Sequence, residues 1–353
     1  MQKVLVQCKQ PYVKTARIGD NMSAVSLTEA QSLGENILKA HNVGQRNAEL
    51  TIASLLRAEM EGLPSHGFSR IPYYAAQSAA GKVDGHAVPV VQRPKPGVVT
   101  VDACCGFAFS AFADGLPVAA QAAKEEGVAL LAVRNSHHAG VLGFPVADLA
   151  EQGLVALGFA NSPAALAPYG GTVVTFGTNP LAMACPRKDA PPLVIDLSMG
   201  LLARGKILQA AKKGELIPEG AAVDAQGNPT RDPVKAFEGA LLPFGGPKGY
   251  ALALMVEIMA AGLTGASLAI ESSSLFTPDG PPPRLGQSFV LMDPAATAGA
   301  NFVDRVEHLL AFITGQPGAR LPGDRRIGLS QSARQSNSID LPDDLLAQLR
   351  GMC

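Results

Sequence analysis

Residues 128–144 read VALLAVRNSHHAGVLGF, and this stretch decides the fold class. The apolar run 128–133 fits a buried strand, and the polar turn after it, which contains Gly140, leads into a segment of helical spacing at 144–151. A strand, a Gly-bearing turn and a helix in this order form the unit of an α/β protein, in which strand ends and helix N-termini face ligands. Working outward, 98–101, 154–159, 172–176, 193–197 and 288–292 read as further strands. Helical spacing recurs at 117–126, 203–213, 249–261 and 302–313, so the class is mixed α/β with at least one substantial sheet.

Upstream, 27–40 and 45–61 read as amphipathic helices and 71–80 as a shorter one, a helical opening whose start, Ser26-Leu27-Thr28-Glu29, has the form of a capping box. Residues 1–21 hold no apolar core of signal-peptide length and read as an extension ahead of Met22. Downstream, 216–246 and 273–286 read as Gly- and Pro-rich loops. The tail reads as a turn at 315–323, a polar stretch to Asn337 and a closing helix at 342–350. Segment 251–270 is long and apolar enough to be weighed as a membrane span, but Glu257 near its middle makes it a buried core helix.

With 353 residues the chain has the size of about two domains. Hydrophobic residues at 47% against 17% charged exclude disorder, and a net charge of -1 with no Trp gives no basis for binding nucleic acid or an anionic membrane. The five cysteines are odd in number and lack zinc-type spacing, which points to a reducing cytoplasm and no metal site; the adjacent Cys104 and Cys105 read as packed thiols.

Among six histidines, His41, His86 and His308 lie in ordinary polar contexts. His66 stands in SHGFSRIP, just after a helix-ending Gly-Leu-Pro, where Ser65 can cap the next turn and set His66 and Arg70 four residues apart on one face. A proton-transfer group beside a guanidinium suits a carboxylate substrate, and the same residues also fit a cap with a surface His-Arg pair. His137 and His138 end the first strand; adjacent residues point in different directions, so one at most serves a given site. The loops 158–171, 176–186 and 244–252 offer backbone N–H groups, with Lys248 at the mouth of an apolar helix as an anion cradle. Asp196, at the end of LVIDLS, fits either a ribose contact or a buried structural acid. The dinucleotide signature G-x-G-x-x-G after an early strand is absent.

The motifs SHGFSRIP, SHHAG, PYGG, FGTNP, VIDLS, ARGKI, GPKGYALAL and RLPGDRR, in this order over 23–350, resemble the malate/L-lactate dehydrogenase family of NAD(P)-dependent oxidoreductases. The resemblance implies a non-Rossmann dinucleotide-binding domain with a large mixed or antiparallel sheet plus a helical domain, and a cytoplasmic homodimer. The corresponding division is an extension of little order at 1–22, a helical part at 23–96, an NAD(P)-binding domain at 97–300, and C-terminal helices at 301–353 packing back on the N-terminal part. It implies NADPH or NADH as cofactor and a small 2-oxo acid, reduced to its 2-hydroxy acid, as substrate. A cyclic 2-imino acid is the alternative, and a non-catalytic dinucleotide-binding protein is the alternative of another class.

Carried over by position, Ser65 and His66 become catalytic, Arg70 clamps the substrate carboxylate and Thr178 lies near substrate. His137 matches an acid/base histidine of the ureidoglycolate branch and competes with the favoured His66. His138, Gly140, Asn161, Asp196, Leu197, Ser198, Lys248, Leu321, Pro322 and Gly323 match cofactor contacts. The chain departs from the imine-reducing branch about ten residues after Asp196, where an aspartate linked to the Ser-His pair is replaced by Lys206.

Overall fold

The structure, a computed structural model, describes residues 21–353; of the extension expected at 1–21, all but residue 21 lies outside the described residues, as does Cys8. The chain enters as strand β1 (Met22–Ser26), which sequence reading missed, and passes into α1 (Leu27–Ala40), where Ser26 Oγ accepts from Glu29 N as the capping box requires. α2 (Gln45–Met60) and α3 (Ile71–Ala79) complete the helical opening. Then come β2 (Val90–Lys95), β3 (Val98–Asp102), α4 (Ala108–Glu126), β4 (Val128–Ser136), α5 (Gly143–Ala150), β5 (Val155–Ala160), β6 (Leu181–Cys185), β7 (Leu193–Leu197) and α6 (Arg204–Lys213). Within the region expected to be loop, β8 (Ala222–Val223), β9 (Pro229–Thr230), α7 (Pro233–Glu238) and β10 (Ala240–Leu241) form a small sheet and one short helix. α8 (Pro247–Glu257), β11 (Leu285–Met292), α9 (Asn301–Thr314), α10 (Asp324–Ser336), β12 (Ser338–Pro342) and α11 (Asp343–Arg350) finish the chain.

The main sheet has the order β2-β3-β4-β11-β5-β6-β7, with β3 and β4 parallel and every other pair antiparallel, so it is mixed. Side chains alternate along its strands. Ala156, Ala160, Phe289 and Leu291 turn to the face covered by α4 and α5, whereas Leu157, Phe159 and Val290 turn to the face covered by α6 and α8. A separate apolar cluster joins α1, α2 and α3 to α11 through the β1–β12 pair, in which Val25, Ile339 and Leu341 are buried. The first and last described elements therefore pack together.

Several expectations are corrected. Residues 172–176 form no strand; only Phe176 bridges Leu166, because Gly170, Gly171 and the exposed Val173 leave no packed edge. α4 begins at Ala108 and runs through Pro117; the stripe Ala108, Ala111, Phe112, Ala119, Ala122 and Ala123 packs on the sheet and outweighs the missing proline N–H. The polar stretch before Asn337 is helix α10, hidden from periodicity because it buries no residue fully. The expected buried helix over 251–270 ends early: α8 passes into a π-helical turn Ile258–Gly262, and Leu254, Met255 and Ile258 are exposed. Among the described residues no helix is long and apolar enough to cross a membrane. Cys104 is exposed and not packed, because φ of 52° and 62° at Cys104 and Cys105 turns the chain outward.

Candidate active site

The site forms where the C-terminal end of β4 meets the start of α3. After α2 the chain makes two single 3-10 turns, Pro64–His66 and Phe68–Arg70, so His66 and Arg70 do not share one helical turn. Ser65 caps neither turn, since Leu63 and Gly67 hold the cap positions; its Oγ lies 3.0 Å from His66 Nδ1. Arg70 Nε donates to Ser65 O at 2.7 Å, and Ser69 Oγ donates to Pro64 O at 2.6 Å. Glu59 on α2 anchors the segment from beneath, accepting from Phe68 N at 2.6 Å, and burial pushes its carboxyl up to about 7. The N-terminus of α6 closes the other side. A Cβ on Gly205 would lie 2.9 Å from Ser65 Cβ, so only glycine permits this seat, while the neighbouring Lys206 is exposed.

The two strand-end histidines part company. His137 is wholly buried, its Nε2 engaged with Gln77 Oε1 at 3.0 Å and its Nδ1 sealed in without a partner. His137 is thus enclosed by protein while His66 is half-buried, and the acid/base role expected of His137 stays the competing assignment. His138 instead stacks on His66, ring centroids 5.4 Å apart, and its Nδ1 lies 2.7 Å from the Tyr74 hydroxyl. Burial, with the charges of Arg70 and Arg326, pulls His66 down to about 3; burial also pulls His137 to about 3 and His138 well below its ordinary value.

Sequence reading passed over the rest of this face of α3. Arg70, Tyr73, Tyr74 and Gln77 recur at helical spacing, a signal that was available from Arg70 outward. Phe276 packs edge-on to Tyr73, 5.6 Å away, and lies 5.1 Å below the Arg70 guanidinium; Arg204 stacks on Phe237. The loop carrying Phe276 is tied down by Gln77 Nε2 on Leu275 O and by the buried Lys82, whose ammonium donates to the carbonyls of Ser274, Thr277 and Asp279. Arg70 forms no ion pair among the described residues, and its terminal nitrogens remain available to an acid.

The expected cofactor residues divide. Asp196 accepts from Gly143 N at 3.1 Å and pairs with Arg326 at 3.6 Å; burial raises its carboxyl while Arg326 opposes the shift. The turn of Leu321, Pro322 and Gly323 leads into α10 beside β7, and Gly323 and Arg326 line a groove of about 360 Å³ with Arg57, Phe144, Val194 and Arg334. Lys248 is exposed at the start of α8, after Gly245 and Gly246 at φ of 59° and 60°, and has no ion pair among the described residues. Thr178 and Ser198 are joined, Ser198 Oγ donating to Thr178 O at 3.4 Å, and Leu197 beside them is exposed. Asn161 and Gly140, expected as cofactor contacts, are both buried. Asn161 is closed off by Gly286 N, Ser267 O and Glu257, and a Cβ on the buried Gly140 would strike the Phe109 ring at 2.9 Å. The arginine-lined groove, Lys248 at the start of α8 and the half-buried His138 each offer donors of the kind that a dinucleotide's phosphates and ring amide take.

The sequence matches the malate/L-lactate dehydrogenase family over residues 25–350. It is 44% identical over 326 residues to the (2R)-3-sulfolactate dehydrogenase (NADP(+)) of Chromohalobacter salexigens, covering 92% of this chain and 97% of that protein. It is 42% identical over 303 residues to the Delta(1)-pyrroline-2-carboxylate/Delta(1)-piperideine-2-carboxylate reductase of Pseudomonas syringae pv. tomato, 86% of this chain and 88% of that one. Among solved structures, a delta1-piperideine-2-carboxylate reductase from Pseudomonas syringae superposes with a TM-score of 0.89 at 39% identity, covering 94% of this chain and 100% of that chain. The sulfolactate dehydrogenase of Methanocaldococcus jannaschii gives 0.85 at 30% identity, covering 94% and 96%.

Proposed function

Because this chain belongs to the malate/L-lactate dehydrogenase family, we propose that it reduces a small 2-oxo acid to its 2-hydroxy acid with NADPH or NADH, Arg70 clamping the carboxylate and His66 delivering the proton. It is an NAD(P)-dependent oxidoreductase. The observation that carries the reading is the Ser65–His66–Arg70 arrangement: Ser65 orients His66 at Nδ1 and Arg70 through its carbonyl, leaving His66 Nε2 and the Arg70 terminal nitrogens for one ligand. The bound nicotinamide supplies a hydride to the substrate carbon. Residues 321–323, Arg326 and Lys248 would hold the dinucleotide, and His138 would face its reactive end.

In the free site burial, with the charges of Arg70 and Arg326, pulls His66 down to about 3. A substrate carboxylate on Arg70 would offset one of those charges and move the basicity of His66 upward, the direction that proton delivery requires. The same positive surroundings disfavour a cationic iminium substrate, and no carboxyl group hydrogen-bonds Ser65 or His66 among the described residues. The cyclic imino acid remains the second reading, favoured by the likeness to the piperideine-2-carboxylate reductase fold.

The further features belong to the same proposal. A non-Rossmann cofactor domain and a cytoplasmic homodimer are supported by the absent glycine signature, the largely antiparallel sheet, free thiols and the exposed Leu254, Met255 and Ile258; the expected boundary at 96 would separate β2 from β3, its partner in the main sheet, so the cofactor domain begins ahead of Val90 in this proposal. The test is spectrophotometric oxidation of NADPH and of NADH with pyruvate, oxaloacetate, sulfopyruvate and the two cyclic imino acids. Turnover of a 2-oxo acid is expected. Turnover of imines alone would select the second reading, and none with any acid would overturn both.

A further inference from the structure

Tyr74 has no part in the mechanism above, yet it is placed as a working group. It lies one helical turn beyond Arg70 on α3, is 1% exposed, and is packed against Phe107 and His137 with ring centroids 5.6 and 5.2 Å away. Its hydroxyl has a single hydrogen-bond partner among the described residues, His138 Nδ1 at 2.7 Å. Were Nδ1 protonated, the phenolic proton would be buried without an acceptor; donation from Tyr74 to a bare Nδ1 satisfies both atoms. Burial pushes the Tyr74 phenol up and the His138 imidazole down, so both are neutral and the ring proton resides on Nε2. That nitrogen has no protein partner and, unlike His137 Nδ1, is not sealed from solvent. His138 is half-buried between two buried neighbours and lies parallel to His66 within 26°.

We propose that Tyr74 is a positioning residue of the active site: its hydroxyl fixes His138 as the Nε2–H tautomer, so that a neutral N–H donor stands unpartnered beside the His66 proton donor. The inference rests on the reading of His66 as that donor. Two parallel imidazoles then have separate tasks. Ser65 sets one and Tyr74 sets the other, and a donor whose orientation is fixed beforehand needs no rearrangement as charge develops on the substrate oxygen.

Tyr74→Phe keeps the ring contacts and removes only the hydroxyl. In protein labelled with ¹⁵N-histidine, the wild type should show His138 with Nδ1 unprotonated and Nε2 protonated, and Tyr74→Phe should shift it to a tautomer mixture. Turnover should fall about tenfold while KM for the acid stays within about twofold. In a His138→Gln background, where the amide supplies an N–H whatever Tyr74 does, adding Tyr74→Phe should change kcat less than about twofold. A wild-type His138 protonated at Nδ1, an unchanged kcat in Tyr74→Phe, or equal losses in both backgrounds would overturn the proposal. If Tyr74→Phe does not fold, the wild-type tautomer alone still decides. The tautomer is read without turnover, so active His66→Ala would sink the proton-donor reading and leave this result standing.

Discussion

Of two polar clusters inside this molecule, one is closed but for a single buried oxygen, Asn179 Oδ1, and the other is open. In the first, Glu257 on α8 accepts from Ala269 N at 2.7 Å, Asn179 Nδ2 at 2.8 Å and Asn161 Nδ2 at 3.4 Å, while Asn161 reaches on to Gly286 N and Ser267 O. Glu257, Asn161 and Asn179 are all buried, and the cluster ties α8, the start of β11 and the loops after β5 into one block. In the second, Ser65, His66, Arg70, Tyr74 and His138 hold one another by one side of each functional group. His66 Nε2, His138 Nε2 and the ends of the Arg70 guanidinium have no protein partner among the described residues. Both clusters are built of side chains that are costly to bury. Where the donors and acceptors close on themselves they stabilise the fold; where they are oriented yet left open they wait for a ligand.

Breaking the closed cluster should cost the most stability and the least chemistry. Glu257→Ala leaves three buried donors short of an acceptor and should destabilise the protein by about 3 kcal/mol or more, read as a lower denaturation midpoint. Glu257→Gln, which keeps one acceptor oxygen, should cost less, and kcat per folded molecule should hold in both. Breaking the open cluster should do the reverse: Arg70→Ala should raise KM for the acid by about 10- to 100-fold with a smaller effect on kcat, and leave the midpoint nearly unchanged. A smaller effect follows from the histidines. His66 and His137, held at about 3 when folded against 6.5 when unfolded, bind protons more readily in the unfolded chain. Their contribution is therefore complete above about pH 6.5 and is lost as pH falls toward 3. These histidines should lower the melting temperature as pH falls, an effect opposed between about pH 7 and 4.5 by Glu59, whose raised carboxyl favours the folded state on acidification, and His137→Gln should soften the remaining acid decline.

The contrast also explains what could be read from residues alone. The 128–144 unit, the paired opening helices and the Ser65–His66–Arg70 spacing show in the sequence because each is encoded within a few residues. Glu257 was visible as an acid in an apolar segment, but its partners lie 96, 78 and 12 positions away, beyond any local pattern. Tyr74 and Gln77 look like ordinary helix residues until β4 brings the histidines to them. α10 gave no signal because a helix with no fully buried face has no apolar period. The different fates of His137 and His138 depend on which side of the strand end faces α3, a choice made by tertiary packing.

In the proposed reaction the open cluster performs the proton transfer through His66. This role is tested most directly by kcat of His66→Ala beside His137→Ala, at saturating cofactor and acid, with folding verified by circular dichroism. His66→Ala should lower kcat by roughly 10²- to 10⁴-fold while folded His137→Ala retains most of its turnover. Near-normal turnover in His66→Ala together with collapse in His137→Ala would contradict it.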